Sequence, residues 1–390
     1  MSMSKIKKNV VINSSEISTM NPSTRIAVIL PLREHFRSAD AGAVALTVKD
    51  FYFASTYCHE TIVFGGFAEH FPEVNYHHVK PSIWRIFGQN IAYAKQCVQD
   101  LVKHQVQMVE VHNRVQLALR IKKALPHLKV AIYLHNDPHT MAGLRTAQER
   151  AEVLEQLDLV YCVSQYVQKR LLEDINTSYA QKSYLIYNAI SQKQSIQIQD
   201  RQQWITYAGR FVAQKGVLEL AQALAQVLPQ YPEWKAVFLG AKGFGHEAGQ
   251  SKYEQAVYAE LAHVASQIEF RGHVKHDEVM DVYSQTAIAV TPSIDAEAFG
   301  RTTLEAMDSG CAVISSTIGG LAEVAGDAAI LVNPVNPTSI SDAISSLIND
   351  RDLRLRCAKR CQDYVRSHFS LIKQTENLDA SRKALLVDLN

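Results

Sequence analysis

Short, nearly continuous apolar runs alternate along the chain with longer segments whose apolar residues return every three or four positions. RIAVILPL (25–32), ETIVFG (60–65), VQMVEVHN (106–113), KVAIYLHND (129–137), LDLVYCVS (157–164) and SYLIYN (183–188) have the first pattern. AGAVALTVKDFYFAS (41–55) and IAYAKQCVQDLVKHQ (91–105) have the second. Runs without polar alternation predict strands buried on both faces, and their alternation with helices predicts a parallel, doubly wound sheet. The pattern resumes with WITYAGR (204–210), KAVFLGA (235–241), IEFRGHV (268–274), AIAVTPS (287–293) and CAVISS (311–316). At 390 residues the chain exceeds one ordinary core, so two α/β domains of similar design are expected. The polar stretch SQKQSIQIQDRQQ (191–203) reads as the linker, and residues 1–24, with Lys5, Lys7 and Lys8, as a loosely ordered arm. AKGFGHEAGQ (241–250) reads as a mobile loop at a cleft edge.

Composition narrows the class. Hydrophobic content of 47% and charged content of 20% describe a soluble globular protein, and a net charge of +1 makes no case for nucleic acid. No apolar run approaches the roughly 20 residues that span a bilayer. The six cysteines show no zinc spacing. Cys162 and Cys311 fall in strands and Cys357 and Cys361 four apart on a helix, so core thiols in a reducing cytosol are expected over disulfides.

Ligands of doubly wound sheets gather at the carboxyl ends of strands. His112, Asn113, His135, Asn136, Asp137 and Ser164 fall there. The densest chemistry lies in TPSIDAEAFGRTTLEAMDSGCAVISSTIGGLAEV (291–324), where a loop opens at a strand's carboxyl end and closes on a helix. Free N–H groups and the helix dipole favour an anion near Phe299, Gly300 and Arg301. Glu297 and Glu305 bracket that point with seven residues between them. Carboxylates beside an anion site suit hydrogen bonds from sugar and ribose hydroxyls. Glu305 also fits a capping box over Thr302–Glu305. Gly209, Arg210 and Lys215 form a second cluster after WITYA. Cations are disfavoured at a helix start unless a ligand answers them, so an anionic ligand is the reading set against two solvated side chains.

E-A-F-G-R-T-T-L-E (297–305), followed by G-G-L-A-E-V (319–324), resembles the E-x7-E signature and following loop of the family-four retaining glycosyltransferases, which have the GT-B fold. Acid spacing, Phe-Gly, small-residue turn and later Gly-Gly-x-x-Glu all occur in order. The resemblance implies two Rossmann-like domains facing across a cleft, with the last helix crossing back to the first. The acceptor-side domain would comprise 25–195 plus 370–390, and the nucleotide-sugar domain 196–369. It further implies transfer of a hexose-type sugar, with retention, from a UDP- or GDP-sugar to a hydroxyl of a glycan or glycolipid, without metal or other cofactor. Arg210 and Lys215 would hold the leaving diphosphate, Glu297 the sugar hydroxyls, Glu305 the ribose, and His135 the far side of the sugar. His135 reads alternatively as a histidine bonded to loop backbone. Backbone of Gly272, His273 and Val274 would meet the base. Gly42 would admit the donor phosphate or serve helix packing, and it stands between Ala41 and Ala43 where the family carries more glycine. Ala189 likewise replaces the glycine usual after the strand-end asparagine.

The opening LPLREHFRSADAGAVAL (30–46) resembles bacterial enzymes of lipopolysaccharide and surface-polysaccharide synthesis. A cytoplasmic location follows as the expectation. Arg120, Lys122, Lys123 and Lys129 read either as a solvated helix face or as a peripheral contact with anionic lipid at the membrane. A sugar-nucleotide epimerase on the same plan and a catalytically silent nucleotide-sugar-binding protein are the alternatives.

Overall fold

The computed structural model describes residues 25–80, 88–191, 198–241 and 251–387. The expected arm (1–24), residues 192–197 of the linker and the loop 242–250 lie outside these residues.

Two parallel sheets organise the chain. The first holds β1 (Ile26–Ile29), β2 (Thr61–Gly65), β3 (Tyr76–His78), β4 (Met108–His112), β5 (Lys129–Leu134), β6 (Leu159–Cys162) and β7 (Ser183–Leu185) in the order β3-β2-β1-β4-β5-β6-β7. The second holds β8 (Gln202–Ala208), β9 (Lys235–Leu239), β10 (Ile268–Gly272), β11 (Thr286–Thr291), β12 (Ala312–Ser316) and β13 (Ile330–Val332) in the order β10-β9-β8-β11-β12-β13. β1, β4 and β11 are buried at every position, which is why their sequences carry no polar alternation. In each sheet the first strand pairs on both sides, Ile26 with Thr61 and Met108, Ile205 with Ala236 and Ile288. Strand order therefore reverses between β1 and β4 and again between β8 and β11. Loops leaving neighbouring strands there part to opposite faces and open a crevice.

The last helix, Leu371–Val387, packs on the helix Ala43–Ala54 of the first domain. Arg382 forks onto Glu110 at 2.7 and 2.8 Å, and Asp379 accepts from the Ser55 hydroxyl and from the Thr56 amide and hydroxyl, each at 2.7 Å. These buried charges are partnered, as burial requires. Entry to the helix is fixed by Ile190, whose amide donates to Phe369 and whose carbonyl accepts from Leu371. Among the described residues no helix is long and apolar enough to cross a membrane.

Candidate active site

A cavity of about 300 Å³ opens at the reversal of the second sheet. Arg210, Lys215, Glu297, Arg301, Glu305, His273 and Val274 line it, and Gly42 with its neighbours closes it from the first domain.

Two loops meet to build its floor. Gly216 has φ +65, and a Cβ there would stand 1.9 Å from the carbonyl oxygen of Pro292. Glycine thus lets the loop after β8 run against the loop after β11. Ile294 N–H donates to Gln214 at 2.9 Å and secures the contact. In consequence Lys215 Nζ lies 2.7 Å from Glu297 Oε2. Glu297 is held from behind as well: a Cβ on Gly319 would stand 2.4 Å from its carbonyl oxygen, and Gly320 N–H donates to that oxygen at 2.7 Å. Ser293 donates to its side chain. Arg210 is exposed on the cavity wall, and no described carboxylate pairs with it.

Glu305 lies inside the helix Arg301–Asp308, with His276 Nε2 at 2.9 Å and Arg301 Nε at 2.7 Å, both on Oε1. Burial would raise its pKa, but His276 and Arg301 together hold it below the usual carboxylate range. No described residue bonds Oε2, so that oxygen remains for a ligand's hydroxyls. The capping-box reading of Glu305 does not hold. The helix starts one residue after Gly300 at φ +108, no side chain caps it, and Thr303 turns inward to Thr291.

The other expected site residues scatter. Phe299 is buried against Tyr187 and Phe369 at the domain junction rather than in the cavity. Gly300 and Gly272 do not line the cavity either: Gly300 precedes the helix Arg301–Asp308, and Gly272 accepts from Gly240 N–H at 2.7 Å. Arg301 lines the cavity with its guanidinium already paired. Its guanidinium reaches across the cleft to Asp50 Oδ2 at 2.8 Å and to the Thr47 hydroxyl. His135 lies outside the cavity lining, its Nε2 2.8 Å from His112 Nδ1. Burial, and then the charge of Arg301, push its imidazole down to about 3. Of the basic segment, Lys122 is tied to Asp158 at 2.7 Å, and Arg120 lines a different cavity at the reversal of the first sheet.

Residues 188–363 match the family described as glycosyl transferases group 1. The second domain is a group 1 glycosyl transferase domain. The chain is 32% identical over 182 residues to the lipopolysaccharide core biosynthesis mannosyltransferase LpcC of Rhizobium leguminosarum bv. viciae, which spans 46% of this chain and 50% of that protein. The whole described architecture is GT-B. Sucrose-phosphate synthase from Thermosynechococcus elongatus superposes with a TM-score of 0.77 at 16% identity, covering 93% of this chain and 100% of that one. Anabaena HepE in complex with UDP-glucose superposes at 0.72 and 17%, covering 92% and 99%.

Around the cavity and at the domain junction, two participants escaped sequence reading and a third was read only as part of a motif. His276 and Asp50 answer charges that spacing alone could not pair, since they come from other elements. Glu323 ends the Gly-Gly-x-x-Glu turn, and its carboxylate caps the helix Gln165–Leu172 of the first domain by accepting from Gln165 N–H at 2.8 Å and Tyr166 N–H at 2.7 Å. The acid in that motif therefore joins the domains.

Proposed function

We propose that the protein is a retaining glycosyltransferase that moves a hexose-type sugar from a UDP- or GDP-sugar to a hydroxyl of a glycan or glycolipid, in lipopolysaccharide or surface-polysaccharide synthesis. The observation carrying this reading is the convergence of Arg210, Lys215, Glu297 and Glu305 on one interdomain cavity. Cations meet a departing diphosphate, and the two carboxylates meet hydroxyls. The acceptor oxygen bonds to the anomeric carbon as the bond from that carbon to the diphosphate oxygen breaks. The electron pair stays with the diphosphate, and the acceptor's proton passes to it. Arg210 and Lys215 neutralise the charge that develops, with no metal or other cofactor required. Glu297, already positioned by Lys215, holds sugar hydroxyls, while Oε2 of Glu305 accepts from the ribose. Phe299 and Gly300 shape the loop, and backbone around Gly272, His273 and Val274 borders the base. His135 stands on the acceptor side, beyond the sugar. We place the enzyme in the cytoplasm, drawing its acceptor from solution or from the membrane surface.

Thermal unfolding against a panel of nucleoside diphosphates and nucleotide sugars tests the donor class, since binding to the folded state alone raises stability with the logarithm of ligand over Kd. Failure of every UDP and GDP compound to stabilise the chain would remove the reading. Product analysis of a responding donor, with and without acceptor, separates transfer from epimerisation.

A further inference from the structure

The reversal of the first sheet carries a cavity of its own, about 1120 Å³ in volume. Arg33 after β1, Arg114 after β4, Arg120 on the helix Val115–Ala124 and Arg145 line it, and among the described residues no acidic side chain does. All four are exposed. None has a described carboxylate within ion-pair distance, and the one side-chain bond among them is a weak one from Arg33 to Gln89 at 3.4 Å.

Other described arginines of the domain are paired. Arg25 meets Glu60, Arg37 meets Asp40 and Glu69, Arg170 meets Asp137 and Glu173, and Arg150 donates to four carbonyls. In a chain of net charge +1, four unanswered guanidiniums around one cavity form a local excess rather than a general basic character. Asn113, on the rim, holds a left-handed φ of 56 and accepts from His135 N–H at 2.8 Å, so the cavity wall is rigidly joined to the strand end beside the donor cavity. Glu34 lies between the two cavities: its Oε1 accepts from Ala45 N–H and stands 2.9 Å from where a Cβ on Gly42 would be. Burial raises its pKa, with the backbone bond and Arg114 opposing.

We infer that this cavity receives the acceptor of the proposed transfer, and that the acceptor carries a phosphate group. A guanidinium fork matches phosphate oxygens in shape, and a dianion relieves more mutual repulsion among four cations than a carboxylate does. The inference rests on the glycosyltransferase reading for the word acceptor, but its chemistry is separately measurable.

Calorimetry with UDP or GDP held at saturation keeps phosphate out of the donor cavity. Glucose, glucose 6-phosphate and inorganic phosphate form one arm; phosphatidylcholine vesicles with and without phosphatidic acid, whose phosphate is an uncapped monoester, form the other. The expected result is that the phosphate group tightens binding at least about tenfold in one arm, and that Arg114→Gln combined with Arg145→Gln removes about 10- to 100-fold of that affinity. Both positions are exposed, so the fold should persist, and Arg145→Gln alone should show a smaller loss in the same direction. A gain in the sugar arm identifies a soluble phosphosugar, and a gain in the vesicle arm a lipid-borne phosphate. No gain in either arm, or a gain the variants keep, overturns the inference. Loss of nucleotide binding in the unmodified protein would instead strike at the transfer reading, and the two arms would then be read without nucleotide.

Discussion

The two sheet reversals use charge in opposite ways. At the second, Lys215 is paired with Glu297, and Glu305 with both Arg301 and His276, before any ligand is bound. At the first, four arginines face a larger cavity with no acid among them. A paired site holds its groups in position and exchanges partners when ligand arrives, so little has to be reorganised. An unpaired one carries mutual repulsion that only a ligand relieves, which favours affinity over positioning. Chemistry at the first kind of site and capture at the second is the division this contrast suggests.

The largest effect should come from breaking the paired site. Lys215→Ala or Arg210→Ala should lower kcat by about 10²–10³, the scale of one lost transition-state donor. The two should differ in a second respect. Removing Lys215 also frees Glu297 to repel the diphosphate, so donor KM should rise more than in Arg210→Ala. Steady-state kinetics with saturating donor decides, and near-normal turnover in either variant ends the assignment of that residue. EDTA should leave the rate unchanged in the same assay, whereas loss restored by Mg²⁺ would shift attention to Asp137 and Asp295 as ligands.

Next in size is Glu305→Gln. The helix start does not depend on this side chain, so folding should be preserved. Charge-assisted bonds contribute about 1.5–3 kcal/mol against about 0.5–1.5 for neutral ones, which puts the loss of nucleoside-diphosphate affinity on the order of tenfold. Glu297→Gln should leave that affinity nearly intact and lower transfer. Calorimetry on both variants separates ribose from sugar, and unchanged diphosphate affinity in Glu305→Gln would leave the residue a purely structural partner of Arg301 and His276.

The contrast also explains what could be read from sequence. Strand runs such as RIAVILPL were legible because burial on both faces erases polar alternation; β3, three part-buried residues at a sheet edge, had no such mark. The paired site announced itself through local spacing: Glu297 to Glu305, Arg210 to Lys215, Gly319-Gly320 behind them. Partners from distant segments, Asp50 and His276 above all, left no trace, because an ion pair across 251 or 29 residues has no sequence period. Phe299 misled for a related reason: its motif position suggested the ligand, while its side chain fills the domain junction.

Asp50→Asn tests the strap between the domains with a smaller expected effect. Arg301 and Asp50 are partly shielded rather than exposed, so the loss should exceed the 0–1 kcal/mol of a surface pair and amount to about 1–2 kcal/mol. Because the contact crosses the cleft, that loss should appear as a more open conformation in small-angle scattering, reversed by donor. Unchanged scattering with unchanged stability would mean that Glu323 and the Phe299 junction alone hold the domains together.

The smallest effect concerns the histidine pair at the ends of β4 and β5. Burial, and then Arg301, push His135 down to about 3, and burial with His135 and Arg382 holds His112 well below its usual value. Both rings are neutral in the folded protein, whereas the unfolded chain protonates them near pH 6.5. Between those limits the unfolded state binds more protons, so stability is complete above about pH 6.5 and declines as pH falls toward 3. The buried His135 imidazole should contribute about 1 kcal/mol of that decline between pH 6.5 and 5.5. Carboxylates held low, such as Glu305, lose their contribution only at more acid pH and leave this window clear. Glu34, whose pKa is raised, acts in the opposite sense but equally in wild type and variant. Denaturant unfolding of His135→Gln at pH 6.5 and 5.5 should therefore show a loss smaller than the wild type's by about 1 kcal/mol. Equal losses would mean that His135 titrates as a solvated ring in the folded protein.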